Sequence, residues 1–590
     1  MEDFIFGTLA TEELRQAYVR AALNGVTHRQ ARSPRDPLPN QTISVELTVG
    51  PLYPCEQAWV YWSQDGVEPR GAHGSAEQGS ALPMELVAVE WSTLLWGYIR
   101  RFRASLPGQP AGTILRYYLT AETVQGAEVP ADGGRRYACL VAEDPPPEWT
   151  REALIYQIFV DRFYPGDGKP WQQPETPKGF YGGTLSGIRE KLDYLGDLGV
   201  NVLWLTPVFP SPSHHGYDAT DYFEIEPRLG SKQDLHDLLD AAHQRGMRLL
   251  LDFVPNHWSH EHPTFQSAIS DPDSPYRDWY TFERWPDQYD SFFGVKTLPK
   301  INLRHPEARQ HILQAAAYWL EFGVDGYRID HVLGPSPDFW ADLRKVTRSV
   351  RPDCWLFGEA VDPPDVQLTF YGLLDGVLDF MLLEGLRQTF AFDRWTAVQF
   401  ADYLDRHEAF FPADFSRPSF LDNHDMNRIL WAMDGDTRRL KLAALCQFSL
   451  AGEPIIYYGT EVGLSQQRDV RYDGHGHPEE SRLPMVWGGE QDQELFSFYR
   501  QLIAFRKSHA ALRSGRRGLK FANASILAYT RGEAGEELLF VFNLAQEPGE
   551  VELRGNWEKV IFSTGSDVQL TQLNGQIVLK LAESSGVVLS

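Results

Sequence analysis

The sequence predicts a multidomain α/β protein, with a long alternation of parallel strands and helices set between two all-β modules. Three observations carry the prediction. At 590 residues the chain exceeds what one hydrophobic core organises. From about 150 onward, short apolar runs alternate with segments whose leucines recur at helical spacing, the pattern of βα units. Before and after that stretch the apolar period falls to two, with Gly, Pro and Asp between runs, the pattern of antiparallel strands. Repeated βα units over roughly 350 residues fit either a closed parallel barrel or a large doubly wound sheet.

The elements follow in order. Residues 1–40 read as an N-terminal arm, with a short helix in TEELRQAYVRAALNGVTHRQA followed by a Pro- and Arg-rich loop. In 41–145, the runs ISVELTV, QAWVYWS, MELVAVEW, LWGYIRRFRASL and ILRYYLTAE alternate apolar and polar residues, which predicts a β-sandwich module. Its tryptophans Trp59, Trp62, Trp91 and Trp96 fit either an exposed platform or a core, and core is the expectation for most of them. EDPPPEW is a stiff proline hinge. In 146–507, ALIYQIFV, NVLWLTPVF, MRLLLDFVPNH, VDGYRID, CWLFGEA, VLDFML, FLDNHD and EPIIYYGTE read as strands. Between the first two, Leu185, Ile188, Leu192, Leu195 and Leu198 predict one helix with Ser186 near its N-cap. An aromatic-rich excursion over 258–305 interrupts the alternation. From 508 to 590, SILAYTR, ELLFVFNLA, GEVELR, KVIFS and GQIVLKLA predict a closing all-β domain.

Composition narrows the function classes. Apolar residues at 43% with 23% charged residues match a globular chain, and no apolar run of about 18 residues suggests a membrane span. A formal charge of −25 repels phosphate backbones, so nucleic acid is not an expected partner. Cys55, Cys139, Cys354 and Cys446 are widely spread, without a CxxC pair for zinc or the density of a disulfide framework. The start, MEDFIFGTLATEELRQAY, lacks a signal-length apolar run, and the expected location is the cytoplasm.

The polar residues that interrupt the apolar runs share one position. Asp252 and His257 follow RLLL, Arg328 and Asp330 follow VDGY, Glu359 follows CWLF, and His424 and Asp425 follow FL. Each lies at or just past the C-terminal end of a predicted parallel strand, and in a parallel barrel those ends converge on one face. Taken singly, each has an ordinary reading as a cap, an ion pair or a satisfied core histidine. Together they supply four carboxylates for one pocket. Glycosidic hydrolysis with retention uses two carboxyls about 5–5.5 Å apart, one a nucleophile and one an acid/base. Arg328, two residues before Asp330 on one strand face, would keep that carboxylate ionised. Glu359, after Trp355 and Phe357, would sit in an apolar setting that raises its pKa, helped by the charge of Asp425.

The blocks DFVPNH (252–257), GYRIDHV (326–332), FGEA (357–360) and FLDNHD (420–425) resemble the α-amylase family of glycoside hydrolases (glycoside hydrolase family 13). LPKIN, HGYDATDY, YYGTE and YQIFVDRF extend the likeness over about 150–590. The resemblance implies a (β/α)8 TIM barrel with a domain B excursion, and it implies roles. Asp330 matches the nucleophile, Glu359 the acid/base and Asp425 the transition-state stabiliser. Tyr217, Asp252, His257, Arg328, His424 and Arg482 match substrate-binding and supporting positions. An N-terminal β-module, LPKIN and PSPSHHGYDATDY resemble most the cyclomaltodextrinase, neopullulanase and maltogenic amylase group. That resemblance implies α-1,4 cleavage in cyclodextrins, pullulan, malto-oligosaccharides or starch, and a homodimer through the N-terminal module. The alternatives are a transglycosylase, a relative acting on sucrose, trehalose or α-1,6 links, and a non-catalytic binding subunit.

Three departures accompany the likeness. His331-Val332 follows Asp330, where the subgroup has an apolar-then-Asn/Glu run, which leaves fine specificity open. Arg482 matches the subgroup's late-loop arginine, but the acidic residue before it has no clean match. Where relatives bind calcium, the blocks here are YPGDGKPW and YGGTL, leaving Asp167 as one carboxylate, a poor cage for the ion. No cofactor is required and no metal ligand is assigned, with Asn256 left open as a calcium ligand elsewhere.

Overall fold

The computed structural model describes residues 12–590, apart from 65, 474, 534–535, 566–567 and 574. The first eleven residues of the predicted N-terminal arm lie outside the described residues. The arm's helix runs Glu12–Asn24.

The N-terminal module is a sandwich of two five-stranded antiparallel sheets. In one, Ile43–Val49 pairs with Gly97–Leu106, which pairs in turn with the edge strand Glu85–Ser92. In the other, Ile114–Thr123 pairs with Cys55–Gln64. Period-two burial along Ile43–Val49 turns Val45 and Leu47 toward Val60, Phe102 and Leu119. The tryptophans divide. Trp59 and Trp62 are half-buried, but Trp91 and Trp96 are exposed, contrary to the expectation of core positions for most of them. The reason is placement, because both lie in the hairpin at the edge of the sheet, where, among the described residues, no further strand covers them.

The barrel strands are β1 (Ile155–Ile158), β2 (Val202–Leu205), β3 (Arg248–Phe253), β4 (Gly326–Ile329), β5 (Trp355–Gly358), β6 (Gly376–Val377), β7 (416–419) and β8 (Ile455–Tyr457). The sheet runs β6–β5–β4–β3–β2–β1–β8, all parallel. β7 closes it, because Ser416 bridges Gly376 on one side and Ser419 bridges Pro454 on the other. Pro418, which has no N–H, keeps β7 from forming a regular ladder.

Side-chain alternation builds the interior. Ile155, Val202, Trp204, Leu250, Trp355, Phe357, Phe420 and Ile455 fill the barrel as one cluster. The next inward position toward the C-terminal end of each strand is polar: Gln157 in β1, Asp252 in β3, Arg328 in β4 and Glu359 just past β5. The opposite faces, with Leu203, Leu249, Leu251, Tyr327 and Leu356, pack under the helices.

Three elements differ from the sequence reading, the first being FLDNHD, which holds no strand residue because β7 ends at Ser419 just before it. The helix expected over 185–198 is two, Leu185–Glu190 and Leu192–Leu198, with Lys191 between them. The cap is Thr184 rather than Ser186, its hydroxyl accepting from the Gly187 N–H at 2.9 Å. VLDFML holds only the last residue of a two-residue strand. The chain then turns into the helix Phe380–Phe390, capped by Asp379 accepting from the Leu382 N–H at 2.9 Å.

The excursion after β3 contains the helix Pro263–Ser270, a small hairpin and the turn Phe292–Gly294, and returns to the helix Pro306–Phe322. The C-terminal region stacks a five-stranded sheet against a three-stranded one, with Ala528, Val541, Leu579 and Val587 between them. Among the described residues no helix is long and apolar enough to cross a membrane.

Candidate active site

The structure gathers eight of the nine residues singled out from the sequence into one contact network at the C-terminal mouth of the barrel, and sets the ninth, His257, beside it. Arg328 is its centre, fully buried. Its Nη1 donates to Asp252 Oδ1 at 2.8 Å and Oδ2 at 3.0 Å, and to Asp330 Oδ1 at 3.0 Å. Its Nη2 lies 2.9 Å from Glu359 Oε2. One guanidinium thus serves three carboxylates, where the sequence pattern paired it with Asp330 alone.

That sharing sets the electrostatics. Burial pushes Asp330 up to about 7 against the pull of Arg328, with Asp252 and Asp425 adding to the rise. Burial raises Glu359 to about 7 in the same way, again opposed by Arg328 and assisted by Asp330 and Asp425. Asp252 rises to about 6 for the same first reason. One positive charge facing three carboxylates favours a state that retains a proton within the cluster.

Asp425 is compensated separately. Arg482 Nη2 donates to its Oδ1 at 2.8 Å, and His424 Nε2 lies 3.0 Å from its Oδ2. Burial works against its charge, yet His424 and Arg482 hold the carboxyl well below the usual range. The arginine also fixes the loop, its Nε donating to the His424 carbonyl at 2.7 Å.

A chain of polar groups joins the two halves. The Gln157 amide nitrogen lies 2.7 Å from His424 Nδ1. His424 Nε2 lies 2.6 Å from the Tyr217 hydroxyl, which donates to Asp252 Oδ2 at 2.9 Å. Trp204 Nε1 donates to the same oxygen at 3.1 Å. With the Gln157 amide donating to Nδ1, His424 carries its proton on Nε2, toward Asp425. Tyr217 stacks on His424, the planes 2° apart at 5.4 Å. His257 is buried and held by Asn256 at 3.0 Å, its ring stacked on Phe292 at 4.3 Å. Burial lowers it to about 3, so it is neutral.

Sequence reasoning missed Gln157, Trp204, Phe292 and His331 as parts of this assembly. For Gln157 a signal was present, a polar residue at the inward position of an otherwise apolar strand. For Phe292 there was none, since an irregular excursion has no period from which to read a face.

Asp167 lies away from this cluster, pairing with Lys169 at 3.2 Å. Among the described residues no group of three or more His, Cys, Asp or Glu side chains is arranged to hold a metal ion.

Comparison with known proteins gives the family. The model of the α-amylase catalytic domain matches residues 157–491, and a model described as a domain of unknown function (DUF3459) matches 513–588. The chain is 41% identical to α-amylase 2 of Dictyoglomus thermophilum over 440 residues, 74% of this chain and 77% of that one. It is 33% identical to a cyclomaltodextrinase of Geobacillus thermopakistaniensis, over 83% of this chain and 87% of that one. A solved cyclomaltodextrinase superposes with a TM-score of 0.70 at 26% identity, covering 96% of this chain and all of the other. The chain belongs to the α-amylase family of glycoside hydrolases.

Proposed function

We propose that the protein cleaves α-1,4-glucosidic bonds in cyclodextrins, pullulan and malto-oligosaccharides with retention of configuration. The observation that carries this reading is the single guanidinium of Arg328 holding Asp330 on one nitrogen and Glu359 on the other. This suits the close carboxyl pair of a retaining enzyme, about 5–5.5 Å, better than the water-filled gap of an inverting one.

In the first step an Asp330 oxygen attacks the anomeric carbon as Glu359 gives its proton to the departing glycosidic oxygen. A glucosyl ester on Asp330 and a free sugar hydroxyl result. In the second step Glu359, now ionised, takes a proton from water, whose oxygen displaces Asp330 and restores both groups. Asp425, charged throughout, faces the positive charge that develops on the sugar ring. Tyr217 offers a ring against that sugar, and His257, His424 and Arg482 hold its hydroxyls and the third carboxylate.

The working unit we propose is the barrel 146–507 with its excursion 258–305, framed by the modules 41–145 and 508–590. We place its action in the cytoplasm, supported by four buried free thiols, which suit a reducing compartment. A homodimer through the N-terminal module is part of the proposal, supported by the exposed hairpin that carries Trp91, Leu94, Trp96 and Tyr98.

Incubation with β-cyclodextrin, pullulan and soluble starch, with Asp330→Asn as control, tests the reading. The expected result is faster opening of cyclodextrin than attack on starch, α-configured products, and loss of turnover by at least about 10³-fold in the control. A folded Asp330→Asn protein with comparable turnover overturns the nucleophile assignment. Products of β configuration overturn retention.

A further inference from the structure

His331 follows the nucleophile in sequence, and its backbone lies in the left-handed region at φ 41°. For a residue with a Cβ this conformation is costly and needs support from its surroundings. Two consequences are visible. The first is that its N–H donates to Glu359 Oε2 at 3.3 Å. The second is that its ring stands in an aromatic clamp from the excursion, edge-on to Phe292 at 4.8 Å and to Phe293 at 5.4 Å. On the far side the chain leaves no room. A Cβ on Gly334 would meet Asn256 Oδ1 at 1.9 Å and His331 Cδ2 at 3.0 Å. Asn256 chiefly fills the space that a side chain at 334 would take, and the edge of the His331 ring borders it.

We infer that His331 is a positioning residue for the acid/base, and that the clamp formed by Phe292 and Phe293 is the device that keeps it in place. The clamped ring holds the left-handed backbone, and that backbone aims the His331 N–H at Glu359 Oε2. Arg328 Nη2 meets the same oxygen. Both contacts with Glu359 therefore fall on Oε2, the His331 N–H as a hydrogen bond and Arg328 Nη2 as an ion pair, which leaves Oε1 to carry the transferable proton. The excursion acts on the protonation step through two rings and one main-chain hydrogen bond, and Lys300 is the charged group that it sets near His331. The charged and titratable groups around this point are Arg328, Asp330, Asp425 and His424 about Glu359, and Lys300, Arg328 and His257 about His331.

The inference rests on Glu359 being the acid/base, and the experiment separates the two. Each variant is assayed over pH on a malto-oligosaccharide, whose leaving group needs a proton, and on an aryl maltoside with an activated leaving group, which does not. Glu359→Gln tests the underlying reading, with loss expected on the natural substrate and partial activity kept on the aryl one. Equal loss on both would sink that reading and the inference with it. His331→Ala tests the inference itself. The expected result is an aryl-to-natural ratio of kcat/KM raised about tenfold or more, a part of the roughly 10²–10⁴ attributed to general acid catalysis, with a displaced basic limb on the natural substrate. His331→Asn, whose backbone enters the left-handed region readily, should recover most of the ratio. Phe292→Leu, outside the carboxylate cluster, should move it in the direction of His331→Ala. If Glu359→Gln behaves as an acid variant while His331→Ala leaves ratio and limb unchanged, or lowers both substrates equally, the positioning role is overturned. It is overturned as well if His331→Asn and His331→Ala shift the ratio alike.

Discussion

Arg328 shows how strongly one residue can set the chemistry of its neighbours. Asp252, Asp330 and Glu359 face a single guanidinium in a desolvated pocket, and burial raises all three above ordinary carboxylates, to about 6 or 7. The consequence for stability has a definite sign. A carboxyl raised in the folded state holds its proton there over a range in which the unfolded chain has released it. The folded form then binds more protons than the unfolded form, and stability falls as pH rises from about 4 to 7. Removing one of these charges should relieve that loss, a stability cost that the active site carries for function. Glu359→Gln is therefore expected to melt about 1–3 °C above the parent at pH 8, with the difference closing near pH 4. Thermal unfolding at the two pH values checks this, and a variant less stable at pH 8 would contradict it. Of the site, the sequence disclosed the residues whose strand position could be counted, since Asp252, Arg328 and Glu359 fall at inward positions by alternation alone. It could not disclose how Arg328 is divided, because register between β3, β4 and β5 decides which carboxylates reach it. It marked His331 only as a departure beside the nucleophile, because the role inferred for it depends on a backbone angle and on rings some forty residues earlier.

At the scale of elements, period decided what was legible. Strands with two-residue alternation and helices with leucines three and four apart were readable. The break at Lys191 was not, because the leucine period runs across it unchanged, and the turn into a helix after β6 was not, because it hangs on the cap formed by Asp379. Packing between elements was also hidden, and it includes a buried charge that ties three segments together. Arg344, on the helix Pro337–Val350, is 4% exposed. It meets Asp36 of the N-terminal arm at 3.2 Å, Asp144 of the proline hinge at 2.6 Å and the Gly372 carbonyl at 2.7 Å. Removing it leaves Asp36 without this partner and Asp144 with only Arg348 at 4.0 Å, which weakens the seam. Arg344→Ala is expected to loosen the seam rather than the barrel. Limited proteolysis should cut within 143–149 faster than in the parent, while kcat on a short malto-oligosaccharide stays within about twofold, since Arg344 contacts none of the carboxylates about Arg328. Unchanged cleavage of the hinge would show that the sandwich is held by other contacts, such as Arg116 with Asp338 and Asp342.

At the scale of the whole molecule two features oppose each other. The formal charge of −25 makes any two copies repel. Yet the edge hairpin presents Trp91 at 49%, Leu94 at 77%, Trp96 at 77% and Tyr98 at 67% exposure, beside a strand edge left unpaired among the described residues. A chain that works alone has reason to avoid such an edge, because apolar side chains next to free backbone donors and acceptors invite pairing. If a second copy covers the hairpin, as we propose, apolar burial drives association and charge resists it, so salt should favour the dimer. Ions screen repulsion over about 30 Å at 0.01 M and about 8 Å at 0.15 M while leaving apolar burial largely intact. Sedimentation velocity is then expected to show a larger dimer fraction at 0.15 M than at 0.01 M salt, the opposite of an interface held by ion pairs. Leu94→Glu with Trp96→Glu should give a monomer at both, because each new carboxylate would lose its water within the contact. The double variant also bears on how the assembly selects substrate. If the partner's module narrows the cleft, the monomer should lose preference for cyclodextrin over starch while kcat on a short malto-oligosaccharide holds, since the substitutions lie outside the barrel. A monomeric parent at both salt concentrations would remove the dimer from the proposal, leave the barrel chemistry untouched, and return the hairpin to the question of what else covers it.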